Sequence, residues 1–238
     1  LTASGGNNVV TITPNGGGSV TLTANGNLSL APRAPLFVNT TGTGNTLGGT
    51  AKFFINGTLP AADPTGILPR VFNSADFLTY SATTGLTPYT GYATDFSTPG
   101  ANVALTAAAS APTATINALK RSGSLTLTIG ATDTLTVTSG MILNATGTGT
   151  YTGGTINFGA KPGVLAGGTN FIASALSGAD GLIMTSGTGT LAGNMSDLSG
   201  ELSVHAATAN LNTSAGSGPS RGRSGTRNLG VGQTGAGL

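Results

Sequence analysis

Few side chains in this chain could perform acid–base or nucleophilic chemistry. The 238 residues include one His, seven Asp and Glu, and no Cys. His205 alternates with Leu202 and Val204, which predicts an outward-facing histidine on a strand. A Ser-His-acid triad would need an activated Ser beside it, but no Gly-x-Ser-x-Gly elbow stands between a strand and a helix. The sequence therefore predicts no catalytic residue and favours a protein that is not an enzyme.

Asp197 and Glu201 are the two acids closest in sequence. Glycosidases use two carboxylates at a set separation across a groove, so a polysaccharide-degrading enzyme is one alternative. Local turn capping by these acids is the favoured interpretation. Repeated Gly-Gly-x-Gly-x-Asp calcium loops are missing, and the dinucleotide-like run 230–235 has neither the preceding strand nor the following helix that binding needs. We expect no metal site and no cofactor.

Aromatic side chains cluster in the Pro-rich segment 58–100, which differs in composition from its surroundings. We predict an irregular insertion that packs as a compact flap on the side of the main body. A ligand platform for a glycan or a cell surface is the alternative. The six residues concerned are Phe72, Phe77, Tyr80, Tyr89, Tyr92 and Phe96.

Charged residues make up only 7% of the chain, whereas soluble domains average about 25%. Such a surface has little charge repulsion and tends to associate, which favours an extracellular or cell-surface structural protein. The segment 214–238 holds Arg221, Arg223 and Arg227 and no acid. A solvated or partner-docking tail is favoured over a nucleic-acid contact. No apolar run approaches the roughly 20 residues that span a bilayer, so we expect no integral membrane protein.

Alternation of apolar and hydroxyl residues recurs along the rest of the chain, as in Leu125-Thr-Leu-Thr-Ile129. This alternation predicts short strands and argues against wholesale disorder. Between 101 and 213 three similar groups recur about every 28 residues, with Gly at the corners. We predict an all-β, single-stranded parallel β-helix (β-solenoid) with three short strands per coil, right-handed by the default of parallel crossovers. An antiparallel sandwich is the alternative.

The predicted organisation has four parts: β-solenoid coils in 1–57, the aromatic and Pro-rich insertion in 58–100, β-solenoid repeats in 101–213, and the Gly/Ser/Arg tail in 214–238. The repeats resemble those of autotransporter passenger proteins, which carry autotransporter-associated β-strand repeats. The phrases that carry the resemblance are Gly123–Thr128, Thr138–Leu143, Tyr151–Gly159, Ala175–Leu182 and Ser186–Leu191, with Leu68–Tyr80 and Tyr92–Phe96 in the insertion.

The resemblance covers roughly residues 20 to 213 and implies a secreted parallel β-helix. The residues after Thr213 supply no membrane barrel of the kind such proteins carry. We therefore expect either a fragment of a passenger or a stand-alone exported β-helix.

An uncapped β-solenoid leaves strand edges that pair with other chains. We therefore expect a non-enzymatic extracellular structural protein, a β-solenoid subunit that self-assembles head to tail with copies of itself into a fibre or filament. An adhesin-like module that binds glycan or a host surface is the alternative. The residues expected to take part in self-assembly are Val9, Val10, Ile12, Arg221, Arg223 and Arg227.

Overall fold

The computed structural model describes residues 1–15 and 18–211 and the strand Thr226–Leu229. All regular structure in these residues is β-strand, and they contain no helix. The chain divides into two compact units, Leu1–Gly91 and Tyr92–Leu238. The all-β prediction is therefore confirmed.

The first unit contains nine strands in three sheets. They are β1 (Thr2–Ala3), β2 (Asn8–Ile12), β3 (Val20–Ala24), β4 (Ser29–Leu30), β5 (Leu36–Thr40), β6 (Ala51–Ile55), β7 (Val71–Phe72), β8 (Leu78–Ser81) and β9 (Gly85–Pro88). The sheet orders are β1-β4, β2-β5-β7 and β3-β6-β9-β8. All of these pairings are parallel except the β8–β9 hairpin.

The second unit contains the remaining strands. They are β10 (Asn102–Leu105), β11 (Ala109–Ala111), β12 (Ala114–Ile116), β13 (Ala118–Ser122), β14 (Leu125–Ile129), β15 (Thr134–Val137), β16 (Met141–Thr152), β17 (Thr155–Asn157), β18 (Gly163–Ile172), β19 (Ala175–Ser177), β20 (Leu182–Thr185), β21 (Thr188–Leu191), β22 (Leu202–His205), β23 (Thr208–Leu211) and β24 (Thr226–Leu229).

These strands form three parallel ladders. The first runs β10-β13-β16-β18-β20-β22, the second runs β11-β14-β16-β18-β21-β23-β24, and the third runs β12-β15-β17-β19. The long strands β16 and β18 belong to the first ladder with their first halves and to the second with their last halves. An antiparallel sandwich would need hairpin pairing, but β8–β9 is the one antiparallel pair between described strands.

Apolar side chains stack from strand to strand in the interior of the second unit. In the first ladder Leu119 pairs with Ile142, Ile142 with Leu165, Leu165 with Met184 and Met184 with Val204. All five are buried in one cluster. Burial of each side chain contributes about 1.5–3 kcal/mol, so the row stabilises the stacking of the strands as much as their backbone hydrogen bonds do.

The spacing of the repeat differs from the predicted 28 residues. Leu119 pairs with Ile142, 23 positions further on, and Leu182 pairs with Leu202, 20 positions further on. The prediction treated Ile142 and Tyr151 as parts of separate short strands, whereas β16 runs continuously through both. Merging two expected strands shortens the path of the chain from one register partner to the next.

The segment 58–100 also differs from the expected flap. Its strand β7 pairs with β5 and its strand β9 pairs with β6, so both extend sheets that begin in the first 57 residues. The boundary between the two compact units falls within this segment, after Gly91. The apolar side chains of β7, β8 and β9 complete the core of the first unit, which explains why the segment is rich in large apolar residues.

Candidate functional site

Two long strands of the first unit lie at the ends of their sheets. Strand β2 is the first strand of the order β2-β5-β7, and β3 is the first of β3-β6-β9-β8. Each pairs through one edge with a following strand, and no described strand pairs with the other edge. An unpaired edge presents backbone N–H and C=O groups that can extend the sheet with another strand.

Apolar rows that are buried in the following strands are exposed on these two strands. Val20 is 37% exposed and Leu22 is 40% exposed, whereas their register partners Ala51 and Phe53 are 0% and 1% exposed. Strand β3 therefore carries the residue types of a core row without the next layer that would cover them.

The same pattern occurs in the row that starts at Val9. This residue is 52% exposed, and it pairs with Phe37, which pairs in turn with Phe72. The Phe37 and Phe72 rings are buried with their centroids 4.9 Å apart. Val9, Val20 and Leu22, which we call the open edge, are thus the exposed ends of rows that are otherwise closed.

No protein-family model, curated protein or solved structure matches this chain. The functional argument therefore depends on the geometry of the chain itself.

The structure separates the six residues predicted for self-assembly. Val9 is exposed and Val10 is half-buried, but Ile12 is part of the core and is unavailable to a partner. Arg221 and Arg223 lie outside the described residues. Arg227 lies in β24, whose backbone pairs with β23 of the same chain rather than with a neighbouring molecule.

Sequence reasoning missed Val20 and Leu22 as members of the open edge. Their alternation with Thr indicated a strand correctly, but the same alternation occurs in β14, where Leu127 and Ile129 are buried. Whether a row continues or ends depends on pairing partners remote in the sequence. No local signal could have distinguished the two cases.

The aromatic residues of the candidate ligand platform do not share one surface. Phe72 and Phe77 are completely buried in the first unit, with ring centroids 6.3 Å apart, which corrects their assignment to a platform. Tyr80 is also committed internally, since its hydroxyl donates to the Ile55 carbonyl and accepts from the Ile55 N–H, both at 3.1 Å.

The other three aromatics are half-buried. The Tyr89 hydroxyl donates to the Gly91 carbonyl at 3.0 Å. Tyr92 and Phe96 belong to the second unit, where the Lys120 ammonium lies 5.0 Å from the centre of the Tyr92 ring and Phe96 packs against the core. The six residues are therefore divided between two units and serve mainly as packing.

The candidate catalytic groups occupy unrelated environments. His205 is buried, which corrects the expectation of an outward-facing side chain, because both faces of β22 are covered. Asp197 is exposed and accepts from the Ser196 hydroxyl at 3.3 Å, while Glu201 accepts from the Ser203 hydroxyl at 3.1 Å. Such short-range bonds are typical of carboxylates that stabilise turns.

The described residues contain no group of three or more His, Asp or Glu side chains placed to hold a metal ion. They also include no helix of the length and apolarity that a membrane crossing requires.

The interior of the second unit contains one charged side chain. Arg121 is completely buried and its guanidinium donates to the carbonyl oxygens of Thr150, at 3.3 Å, and Leu125. Burial raises the pKa of the neighbouring Tyr151 hydroxyl, and the positive charge of Arg121 opposes that rise. This buried pair determines local stability but has no access to solvent, so it is not a site for an external substrate.

Proposed function

We propose that this chain is a β-solenoid subunit of a non-enzymatic extracellular or cell-surface structural protein. In this proposal the subunit assembles into a fibre by stacking its open edge on the last parallel strands of another copy. The observation that carries the proposal is the exposure of Val9, Val20 and Leu22 at the ends of rows whose other members are buried.

A second copy is the partner that matches this edge best. The edge needs a layer of parallel strands with apolar residues in register, and this chain builds such layers repeatedly from β10 to β23. Strand β22 ends the first ladder of the second unit and carries Leu202 and Val204 in its apolar row. Its free edge supplies the complementary parallel strand.

The electrostatics of the chain also support association. A net charge of +2 with 7% charged residues gives little repulsion between copies. A contact between two different surfaces of the same molecule does not close on itself, so its repetition generates a filament.

The two alternatives have weaker support. An adhesin-like module would need an exposed aromatic platform, but Phe72 and Phe77 are buried. A polysaccharide-degrading enzyme would need Asp197 and Glu201 to act on a shared bond, but each is hydrogen-bonded to its own nearby Ser.

The test is electron microscopy and sedimentation of the 238-residue chain over a range of concentrations. We expect filaments above a threshold concentration, and we expect Leu22→Lys to raise that threshold at least about tenfold, which corresponds to about 1.4 kcal/mol per contact. Phe171→Lys is the matched control, because Phe171 is an equally exposed apolar residue on a sheet face rather than at the open edge.

Two results would contradict the proposal. One is a wild-type chain that stays monomeric at every concentration. The other is an equal effect of Phe171→Lys and Leu22→Lys, which would indicate unspecific association through any apolar residue.

A further inference from the structure

The outer face of the second ladder carries a regular array of threonine side chains. One row follows the register from Thr148 through Thr169 and Thr188 to Thr208. A second row lies two residues further along each strand and also includes the first strand of the array. Its members are Thr126, Thr150, Phe171, Thr190 and Asn210.

These rows point away from the core. The residues that alternate with them, such as Gly149, Asn170 and Leu191, are buried, and successive side chains of a strand point to opposite faces. Thr126, Thr148 and Thr169 are exposed. We call the two rows together the threonine face.

The face repeats in two dimensions. Neighbouring strands lie about 4.7–4.9 Å apart, and residues two apart on a strand are separated by about 6.6 Å. The hydroxyl and methyl groups therefore form a grid, and neither row contains a charged residue. Because Thr is β-branched and stiff at χ1, its hydroxyl is held in few orientations and loses little entropy on binding.

The hydroxyls of this grid are free to meet a partner. Among the described residues, the one hydrogen bond to a threonine hydroxyl of the face is donated by the Asn210 amide to Thr190, at 3.5 Å. Other threonines of the unit are used internally: the Thr113 hydroxyl donates to Asp133 at 2.7 Å and the Thr138 hydroxyl donates to the Ile116 carbonyl at 3.2 Å.

A ligand for such a surface must itself be a repeating solid. The grid offers many weak, identical contacts and no charge, which suits neither an ion nor a single small molecule. The spacing between its rows of strands is close to the oxygen repeat of hexagonal ice along its a axis. Hydroxyls can join the ordered water layer, while methyl groups pack between its molecules.

We infer that the threonine face binds the surface of ice crystals. This inference is independent of self-assembly, because it uses an outer sheet face of the second unit and not the open edge of the first. A single chain presents the complete grid.

The experiment measures inhibition of ice recrystallisation and enrichment of the 238-residue chain in slowly grown ice. We expect both activities in the wild-type chain. Thr169→Lys and Thr190→Lys should each weaken them at least about tenfold, because a long, strongly hydrated ammonium holds the ice surface away from the grid. The two variants test separate rows, and circular dichroism confirms that each is folded.

Thr115→Lys is the control, because Thr115 is exposed on β12 of the third ladder, outside the threonine face. It should retain full activity. Absence of ice binding in the wild-type chain would overturn the inference, and so would an equal loss in Thr115→Lys. Binding to crystalline cellulose but not to ice, lost in Thr169→Lys, would assign the face to a polysaccharide surface and would likewise overturn it.

Discussion

The guanidinium carbon of Arg121 lies 4.5 Å from the centre of the Tyr151 ring, and both side chains are completely buried. Two backbone carbonyls complete the contacts of the cation in place of a carboxylate among the described residues. A flat guanidinium can stack on a ring and donate to two acceptors at once, which a lysine ammonium cannot do.

Arg121→Lys should therefore be markedly destabilising. The variant keeps a buried charge but loses the forked donors and the stacking, and we expect a loss of about 3 kcal/mol in the free energy of unfolding. Arg121→Met should be more stable than Arg121→Lys, since it fills the space without a charge. Urea unfolding measures both, with Lys120→Met as the half-exposed neighbouring control. A methionine variant less stable than the lysine variant would refute this account.

Tyr151 should make the protein sensitive to alkali. Burial raises the pKa of its hydroxyl above the ordinary 10.0, so as the pH rises through 10 the unfolded chain loses the proton while the folded chain keeps it. The unfolded state then binds fewer protons, and stability falls with increasing pH. Tyr151→Phe should flatten the fall in unfolding free energy measured between about pH 8 and 11. Tyr89→Phe serves as the half-exposed control, and an equal flattening there would contradict the prediction.

Gly187 should not tolerate a side chain. Its φ is +74°, and an added Cβ would lie 1.9 Å from the Gly168 carbonyl oxygen. Gly187→Ala therefore forces the backbone of two paired strands apart, and we expect a loss above about 3 kcal/mol. Gly159 has a similar φ of +60° but open space around it, so Gly159→Ala should cost only about 1 kcal/mol. Thermal unfolding of the two variants should separate them clearly, and equal midpoints would show that the close approach at Gly187 has no energetic effect.

Phe72 should be a stability residue rather than a binding residue. Its ring is buried between Phe37 and Phe77, so Phe72→Ala should cost about 3–5 kcal/mol. Tyr92→Ala, at a half-buried position, should cost about 1 kcal/mol or less. Urea unfolding provides the comparison. A Phe72→Ala variant of normal stability that loses binding on a glycan array would restore the aromatic platform.

Much of the local structure could be predicted from alternation. Leu125, Leu127 and Ile129 gave the strand β14, and Leu135 and Val137 gave β15, both with the apolar residues facing inward. Parallel pairing between remote strands was also expected correctly. These features follow from the period of two in a strand, which is a property of neighbouring residues.

The register between strands could not be read in the same way. Glycine and threonine are so frequent that several spacings fit the sequence, and the continuous strand β16 replaced two expected short ones. The burial of Arg121 and His205 was equally hidden, because each stands in an ordinary alternating run. What covers them comes from strands remote in the sequence.

The sequence by itself determined the all-β class, the low charge and the scarcity of reactive side chains, because these depend on composition and on contacts between near neighbours. Only the tertiary structure decided that Val20 and Leu22 end their rows exposed while Phe53 continues buried, and that the threonines of five strands fall into register. Pairing partners 20 to 31 residues apart fix both outcomes. Long-range register is set by the sum of many weak packing contacts, which no short stretch of sequence contains.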